Sequence, residues 1–246
     1  MKVAVLMLSY ERYDTFKMVL DHNLKNAGHP FDLFIWDNGS QDYRVKQLAR
    51  SIHPYSLYLS DNNVGIAKAL NIMMDTAIRL HKYDAVHFMA NDILESKNWL
   101  SDKVKYLKAI PESGMISICP GEHMYPYGEI AGRPAFVGDV IGNCMISRQV
   151  YDAVGKFRED FGRYGPIDND YNVRCQMKGF VNYYIPGKST HLDDHNNTLY
   201  GYDKAASVQA TWPVHVASIQ EYINNPGRVY IAPDGETTMN MAEYVP

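Results

Sequence analysis

The chain has 246 residues, of which 46% are hydrophobic and 21% are charged, and its formal net charge is −4 at pH 7. This composition is typical of a globular protein with a sizeable core. The acidic balance excludes a global attraction to nucleic acid or anionic membranes and leaves room only for a local basic groove. Cys119, Cys144 and Cys175 are isolated in the sequence, which argues against a disulfide framework or a zinc site.

The first residues are apolar for too short a run to form a signal peptide, and they predict a first strand instead. No apolar run approaches the roughly 18 residues of a transmembrane helix. We therefore expect a soluble, cytoplasmic protein with no transmembrane segment.

The first half of the chain alternates predicted strands with predicted helices. Strands are expected at 3–8, 31–36, 56–59 and 84–89. Asp14 or Thr15 is expected to cap the first helix and Gly28 to end it. Apolar residues at helical spacing predict a second helix over 66–80. This alternation favours an α/β fold with a Rossmann-like, mostly parallel sheet.

The second half is less regular. It predicts a helix at 100–109, a strand at 115–119, a loop rich in Gly, Pro and Tyr at 120–134, a strand at 142–147 and a helix at 148–154. After a loop at 157–166 come a helix at 168–178, a strand at 182–185 and a helix near 214–223. We expect a single domain made of a half at 1–110, a half at 111–197 and a C-terminal extension at 198–246.

Polar residues collect where the predicted strands end. Ser9 and Arg12 follow the first strand, Asp37 the second, Asn63 the third and Asp92 the fourth. Open α/β sheets bind ligands at the carboxyl ends of their strands. The coincidence predicts one ligand-binding edge.

Six segments, in order along roughly residues 1 to 195, resemble the family-2 glycosyltransferases of the GT-A fold. They are Ser9-Tyr10-Glu11-Arg12 (S-Y-N-R in the family), Asp37-Asn38-Gly39-Ser40 (D-N-G-S), Asn63-Val64-Gly65 through Asn71 (N-x-G-x-x-x-x-x-N), Met89-Ala90-Asn91-Asp92 (D-x-D or N-N-D), Gly165-Pro166-Ile167-Asp168-Asn169-Asp170 with Arg174 (G-x-E-D-x-D-x-x-x-R), and His191. Two positions depart from the pattern. Ala90 stands where many members carry the first aspartate, and Ile167 replaces a glutamate associated with acceptor contacts.

The resemblance implies a metal-dependent, inverting transferase of the hexosyltransferase type that uses a nucleotide-diphosphate sugar, with UDP-sugars favoured. It implies that Asp92 and His191 bind Mn²⁺ or Mg²⁺ and that Asp168 is the general base. Residues implied at the nucleotide sugar are Ser9, Arg12, Asp37, Asn63, Gly65 and Asn91, with Asp37 accepting the imide N–H of the base. On the residues alone, Asp92 is equally explained as a helix cap, Asp37 as a turn residue and Arg12 as a surface charge. For Asp168 the default explanation is a partner of the helix dipole, and only its position in the family pattern favours catalysis.

The acceptor side is expected to include Asp139, Asn143 and Asp170. Asp170 and Arg174, four residues apart, also suit a structural ion pair. His195 is left open as a metal ligand, because His/Asp clusters are common in solvated loops.

The acceptor itself is expected to be a glycan, a lipid-linked precursor or a hydroxymethylated DNA base of the kind found in phage. Two other classes stay open: a catalytically degenerate protein that binds a glycan or partner, and a nucleotidyltransferase, which the absence of a Gly-rich basic loop after the first strand disfavours. The last fifty residues either close over the acceptor or form a contact in an oligomer.

Overall fold

The structure, a computed structural model, describes residues 1–119, 127–192 and 203–233 and the backbone of 243–245. Its α-helices are α1 (Tyr13–Asn26), α2 (Tyr43–Ser51), α3 (Ile66–Asp75), α4 (Trp99–Ala109), α5 (Arg148–Val154), α6 (Ile167–Met177) and α7 (Lys204–Asn224), and a π-helical turn over Thr76–Leu80 continues α3. Its strands are β1 (Val3–Ser9), β2 (Asp32–Asp37), β3 (Ser56–Leu59), β4 (Ala85–Ala90), β5 (Ile93–Leu94), β6 (Ser113–Ile118), β7 (Tyr127–Ile130), β8 (Arg133–Val137), β9 (Cys144–Ser147), β10 (Val181–Ile185), β11 (Thr190–His191) and β12 (Glu243–Val245).

The described strands form one large mixed sheet of ten strands and a separate two-stranded ribbon. The sheet order is β12-β3-β2-β1-β4-β9-β6-β10-β8-β7, and β5 pairs with β11 in the ribbon. β3, β2, β1 and β4 are parallel neighbours, whereas β9, β8 and β12 run against the others. Seven of the ten described strands therefore point the same way, and the expected mostly parallel α/β sheet is confirmed.

The sheet is buried on both faces, as continuous apolar strands require. Leu6 and Phe34 face a core shared with α3, α5 and α6. Val5 and Ile35, their neighbours in sequence, face a second core shared with α1, α2 and α4. Because successive side chains of a strand point to opposite faces, each central strand contributes to both cores, and the polar groups collect at the strand ends.

Two features of the first half differ from the sequence prediction. Neither Asp14 nor Thr15 caps α1: the capping position is Arg12, which has φ 58° and no side-chain cap. The sequence analysis also missed α2, which begins after Asp42, whose carboxylate accepts the Arg44 N–H. That capping residue follows directly on the Asp37 turn, where the polar run masked the start of a helix.

The second half contains more regular structure than predicted. The described part of the expected loop at 120–134 includes β7 and the start of β8, which form a hairpin. The last helix, α7, begins at Lys204 rather than near Val214 and continues through Pro213. Among the described residues no helix is both long and apolar enough to span a membrane.

Candidate active site

A cavity of about 440 Å³ lies at the carboxyl ends of the central parallel strands. Tyr10 lines it from the end of β1, and Asn91 and Asp92 line it from the end of β4. Asp168, in the first turn of α6, lines it from the second half of the chain. The volume is within the range of about 300–1,000 Å³ that holds small-molecule ligands. The predicted ligand-binding edge thus coincides with a cavity.

Two asparagine side chains shape the wall of the cavity beside β2 and β3. Asn38 Nδ2 donates to Asn63 Oδ1 at 3.0 Å, and Asn38 Oδ1 accepts the Val64 N–H at 2.9 Å. Asn63 Oδ1 also accepts the Gly65 N–H at 3.0 Å. Both asparagines line the cavity. These bonds fix the loop between β3 and α3, so the polar wall is formed before any ligand binds.

Gly65 is required by the backbone at the start of α3. It has φ 90°, a region that L side chains rarely adopt, and a Cβ there would lie 2.9 Å from the carbonyl oxygen of Gly162. Gly65 itself, which was predicted at the nucleotide sugar, is not one of the described residues that line the cavity. Its position brings the 162–163 backbone against α3, where the Ile66 N–H donates to the Arg163 carbonyl at 3.3 Å.

Ser9 and Asp37 lie behind the cavity wall, although both were predicted at the nucleotide. Their side chains are fully buried and do not line the cavity. The Asp37 carboxylate accepts the Ser40 hydroxyl and, at 3.2 Å, the Ser40 N–H, while Lys46 Nζ lies 4.0 Å away. Burial raises the pKa of Asp37 above its usual value. The turn binds the carboxylate that was predicted to accept a base imide. The neighbouring residue that lines the cavity is Asn38, which is itself only 2% exposed.

Arg12 and Asp92 form a nearly buried ion pair. Arg12 Nη1 lies 3.0 Å from Asp92 Oδ2, and the side chains are 6% and 9% exposed. Arg12 was predicted to contact phosphate or the base, but it does not line the cavity. Its left-handed backbone turns the side chain of the α1 capping residue toward the end of β4. The guanidinium of Arg12 therefore neutralises the carboxylate of Asp92, which was predicted to bind metal.

His191 lies beside Asp92, as the metal hypothesis requires. The ribbon pairs His191 with Ile93, and the Leu192 N–H donates to the Asp92 carbonyl at 2.7 Å. His191 Nε2 lies 3.8 Å from Asp92 Oδ2, and the histidine side chain is half exposed. Both residues line the cavity. A two-residue strand pairing thus joins groups that are 99 positions apart in the sequence.

The pair fits a hard divalent cation of the kind that takes few protein ligands. No group of three or more His, Cys, Asp or Glu side chains able to hold a metal occurs in the described part of the chain. Mg²⁺ commonly uses one or two carboxylates and takes its other ligands from substrate phosphates and water, and a histidine is better suited to Mn²⁺. Asp92 and His191 would therefore complete the coordination of such a cation only together with phosphate oxygens and water. His195, left open above, lies outside the described residues.

Asp168 lines the cavity from the first turn of α6. Its carboxylate accepts the Gly142 N–H at 3.1 Å. Burial raises the pKa of Asp168 to about 6, against the opposing effect of that N–H. A carboxylate with a pKa near the working pH is suited to proton transfer.

Asn143 and Asn91 also line the cavity. Asn143 Oδ1 accepts the Ala90 N–H at 2.7 Å, which ties β9 to the end of β4. Asn91 Nδ2 donates to the Tyr10 carbonyl at 3.4 Å. Each asparagine therefore connects two strand ends around the cavity.

Asp139 and Asp170 do not belong to this wall. Asp139 is exposed and accepts from Gln176 at 3.3 Å. Asp170 is fully buried: it pairs with Arg174 at 2.8 Å and accepts from Tyr222 at 2.7 Å and Ser218 at 3.1 Å, both on α7. The acceptor assignment of Asp170 is replaced by a structural one, because this carboxylate docks α7 on α6.

Several residues that line the cavity were not predicted from the sequence, among them Tyr10, Arg163, Tyr164 and Lys204. Tyr10 directly follows β1, so the strand-end rule that selected Ser9 could have found it. Lys204 Nζ lies 5.4 Å from the centre of the Tyr164 ring, and Ser207 of α7 donates to the Tyr164 carbonyl at 2.6 Å. Lys204 was not predicted because the sequence placed the start of this helix near residue 214 rather than at 204.

The chain resembles several solved glycosyltransferase structures in fold. A mannosyltransferase from Pyrobaculum calidifontis, in complex with GDP-Man and Mn²⁺, superposes with a TM-score of 0.58 at 18% identity, over 93% of this chain and 72% of that one. GalNAc-T7 with UDP, GalNAc and Mn²⁺ superposes with a TM-score of 0.69 at 11% identity, over 92% of this chain and 51% of that one.

The chain has the GT-A fold. TarS of S. aureus is a further match, with a TM-score of 0.57 at 14% identity over 80% of this chain. The chain spans about half of GalNAc-T7 and 38% of TarS. No protein-family model and no curated protein sequence matches it. At these identities the likeness establishes the fold, and the site must be argued from its own residues.

Proposed function

We propose that this GT-A protein is a glycosyltransferase that moves a sugar from a nucleotide-diphosphate donor to an acceptor hydroxyl with inversion. The observation that carries the proposal is the pair of carboxylates, Asp92 and Asp168, that line one cavity at the strand ends. One has a histidine beside it and the other has a pKa of about 6. Glycosyl transfer needs these two capacities, a charged site for the leaving group and a proton acceptor.

The donor would lie between the strand ends and the start of α7. Tyr10, Asn63 and Asn91 provide an aromatic face and amide groups for the nucleoside. Arg163 and Lys204 place two cationic side chains on the same cavity, where they would bind diphosphate oxygens. The solved structures that support this fold were determined with GDP-Man and with UDP. We favour a UDP-sugar. Because Asp37 lies behind the cavity wall, Asn63 and Asn91 would be the side chains that select the nucleobase.

Asp92 and His191 would hold Mn²⁺ or Mg²⁺. When bound, the cation neutralises the departing diphosphate. The mannosyltransferase and GalNAc-T7 structures both contain Mn²⁺. Arg12 contacts the same oxygen of Asp92 that faces His191, so this guanidinium keeps the carboxylate compensated when the cation is absent. The nearly buried carboxylate thus does not remain as an unpaired charge.

Asp168 would act as the general base. Its carboxylate takes the proton of the acceptor hydroxyl as the acceptor oxygen bonds to the anomeric carbon. The bond from that carbon to the diphosphate oxygen breaks on the opposite face, and the electron pair leaves with the diphosphate. The acceptor, a glycan, a lipid-linked precursor or a modified DNA base, would enter beside Gly142 and Asn143. In this scheme residues 1–110 contribute Asp92 and the nucleoside contacts, 111–197 supply the base together with Arg163 and His191, and the extension at 198–246 adds Lys204.

A thermal-shift series with UDP, GDP, dTDP and CDP, each with and without Mn²⁺, tests the donor class. A ligand that binds only the folded state raises its stability by RT ln(1 + [L]/Kd), about 2.7 kcal/mol at a hundredfold excess over Kd. We expect one nucleotide to raise Tm, more strongly with Mn²⁺ than without it. No shift with any nucleotide, together with no donor hydrolysis, refutes the proposal.

A second function, binding without turnover, is favoured by one feature. Ala90 leaves one carboxylate where many family members have two, and Arg12 already pairs with it. A binding protein would show the nucleotide shift but release no sugar from any donor. Measurement of donor hydrolysis with the wild-type chain separates the two functions.

A further inference from the structure

A fully buried polar cluster lies directly behind the cavity. Lys103 Nζ, on α4, is 2.9 Å from Glu95 Oε1 and 2.8 Å from His87 Nε2, and it donates to the Asn143 carbonyl at 3.2 Å. His87, Glu95, Lys103 and Asn143 are each 3% exposed or less. Burial, and then the charge of Lys103, keep the pKa of His87 well below its usual value. The histidine is therefore neutral, and its Nε2 accepts a hydrogen bond from the ammonium group of Lys103.

A buried ion pair of this kind contributes little net stability to a core. Withdrawing two charges from water costs several kcal/mol per ion, and well-packed apolar residues in the same volume are often as stable or more so. Two of its atoms, Glu95 Oε2 and His87 Nδ1, have no hydrogen-bond partner within the described part of the chain. Buried groups left in this state call for a role other than stability.

The contacts of the cluster lead to the cavity through Asn143. Asn143 Nδ2 donates to Glu95 Oε1 at 3.2 Å, and Lys103 holds the Asn143 carbonyl. The Asn143 side-chain oxygen accepts the Ala90 N–H, two residues before Asp92. The preceding residue, Gly142, donates its N–H to Asp168.

We propose that the Glu95–Lys103 ion pair is a positioning device that fixes the 142–143 backbone between the end of β4 and the carboxylate of Asp168. The proposal rests on the proposed function, in which Asp168 is the base. Neither Glu95 nor Lys103 is among the described residues that line the cavity. The ion pair acts through two backbone groups, the Asn143 carbonyl that it holds and the adjacent Gly142 N–H that binds the base.

The position of Glu95 is itself held from α1. Asn23 Oδ1 accepts the Glu95 N–H and His22 Nε2 contacts the Glu95 carbonyl, each at 2.9 Å. Asn23 is fully buried and also donates to the Ile93 carbonyl at 2.9 Å. The segment after β4 is thus anchored on both sides, and the ion pair extends that anchoring to β9.

The double variant Glu95→Leu/Lys103→Met tests this role because it removes both charges and leaves neither one unpaired. We expect it to melt near the wild-type temperature and to lose about 10- to 100-fold in kcat with little change in the donor KM, since small misplacements of a catalytic group have effects of that size. The midpoint of the pH–kcat profile should rise, because the Gly142 N–H that lowers the pKa of Asp168 is no longer held in place. Tyr151→Phe, which removes a buried hydrogen bond to Asp75 away from the cavity, is the matched control and should keep both kcat and the midpoint.

Unchanged kcat and unchanged midpoint in the folded double variant overturn the inference. If that variant does not fold, Glu95→Gln/Lys103→Met, which preserves the glutamate shape, takes its place. Hydrogen exchange gives a readout independent of any substrate: the Ala90 amide, which donates to Asn143, should exchange faster in the variant than in Tyr151→Phe. Equal exchange refutes the positioning role even if no donor is found, whereas failure of the wild type with every donor refutes only the proposed function.

Discussion

Replacing Asp168 with asparagine should slow transfer severely and stabilise the protein. The amide keeps the shape of the side chain, and its oxygen can still accept the Gly142 N–H, which lies 3.1 Å from the carboxylate. It has no proton-accepting capacity at neutral pH. We expect kcat to fall by about 10²–10⁴-fold, the usual contribution of general base catalysis, while nucleotide binding is retained.

The gain in stability follows from the raised pKa of Asp168. The carboxyl has an ordinary pKa of 3.8 and a folded value of about 6. Each unit corresponds to about 1.4 kcal/mol, so a difference of roughly two units corresponds to about 3 kcal/mol. Because the folded state holds this proton more tightly, the stabilising effect of protonation is complete below pH 3.8 and is lost as the pH rises through 6. The variant, which has no charge to bury, does not lose it.

Denaturant unfolding of the two proteins from pH 4 to pH 8 measures this difference. The free energies of unfolding should converge near pH 4 and separate in favour of Asp168→Asn by up to about 3 kcal/mol at pH 8. The wild-type pH–kcat profile should rise with a midpoint near 6. A constant difference across this pH range, or a variant less stable than wild type at pH 8, refutes the assignment of a strained, ionised base.

Three further changes test the cavity and the backbone turn at the start of α3. Asp92→Asn should remove the Mn²⁺-dependent part of the nucleotide thermal shift, and retention of that part would place the cation elsewhere. Arg163→Met/Lys204→Met should weaken UDP binding by about tenfold and reduce its salt dependence, because two cationic partners are lost; uridine, which lacks the diphosphate, should bind equally to both proteins, and an equal loss for uridine would argue against a phosphate contact. Gly65→Ala should destabilise the fold by about 1–3 kcal/mol in denaturant unfolding, since its φ of 90° is strained for alanine; a change below 0.5 kcal/mol would contradict that.

The parallel half of the sheet could be predicted from sequence because its signals are local. Each strand from β1 to β4 is a short apolar run bounded by polar residues, and the α3 face repeats at helical spacing. The β7–β8 hairpin and α7 have weaker signals. α7 contains Pro213 and exposes Trp212, Val214 and Val216, so its apolar residues do not form one clear stripe. Hydrogen bonds from Tyr222 and Ser218 to Asp170 hold α7 in place. Hydrophobic periodicity in the sequence gives no sign of such polar contacts.

The strand-end rule found the cavity but could not separate its wall from the layer behind it. Asp37 and Asn38 are adjacent in sequence, yet the turn buries the carboxylate against Ser40 and leaves the amide at the cavity. Arg12 was selected for phosphate, but a left-handed backbone conformation directs it to Asp92. Such choices depend on backbone angles at single residues, which neither composition nor spacing determines.

Asp92 and Asp168 face one cavity in opposite surroundings. A guanidinium lies 3.0 Å from Asp92, so its charge is compensated where it stands. The hydrogen-bond donor to Asp168 is a neutral backbone N–H, and burial raises the pKa of Asp168 to about 6. An anion held beside a histidine is suited to a cation, and a carboxylate whose ionisation is costly is suited to receive a proton. The proposed division of roles between the two carboxylates rests on their neighbours, Arg12 beside Asp92 and Gly142 beside Asp168. Changes to those neighbours should therefore alter the chemistry even where both carboxylates are kept.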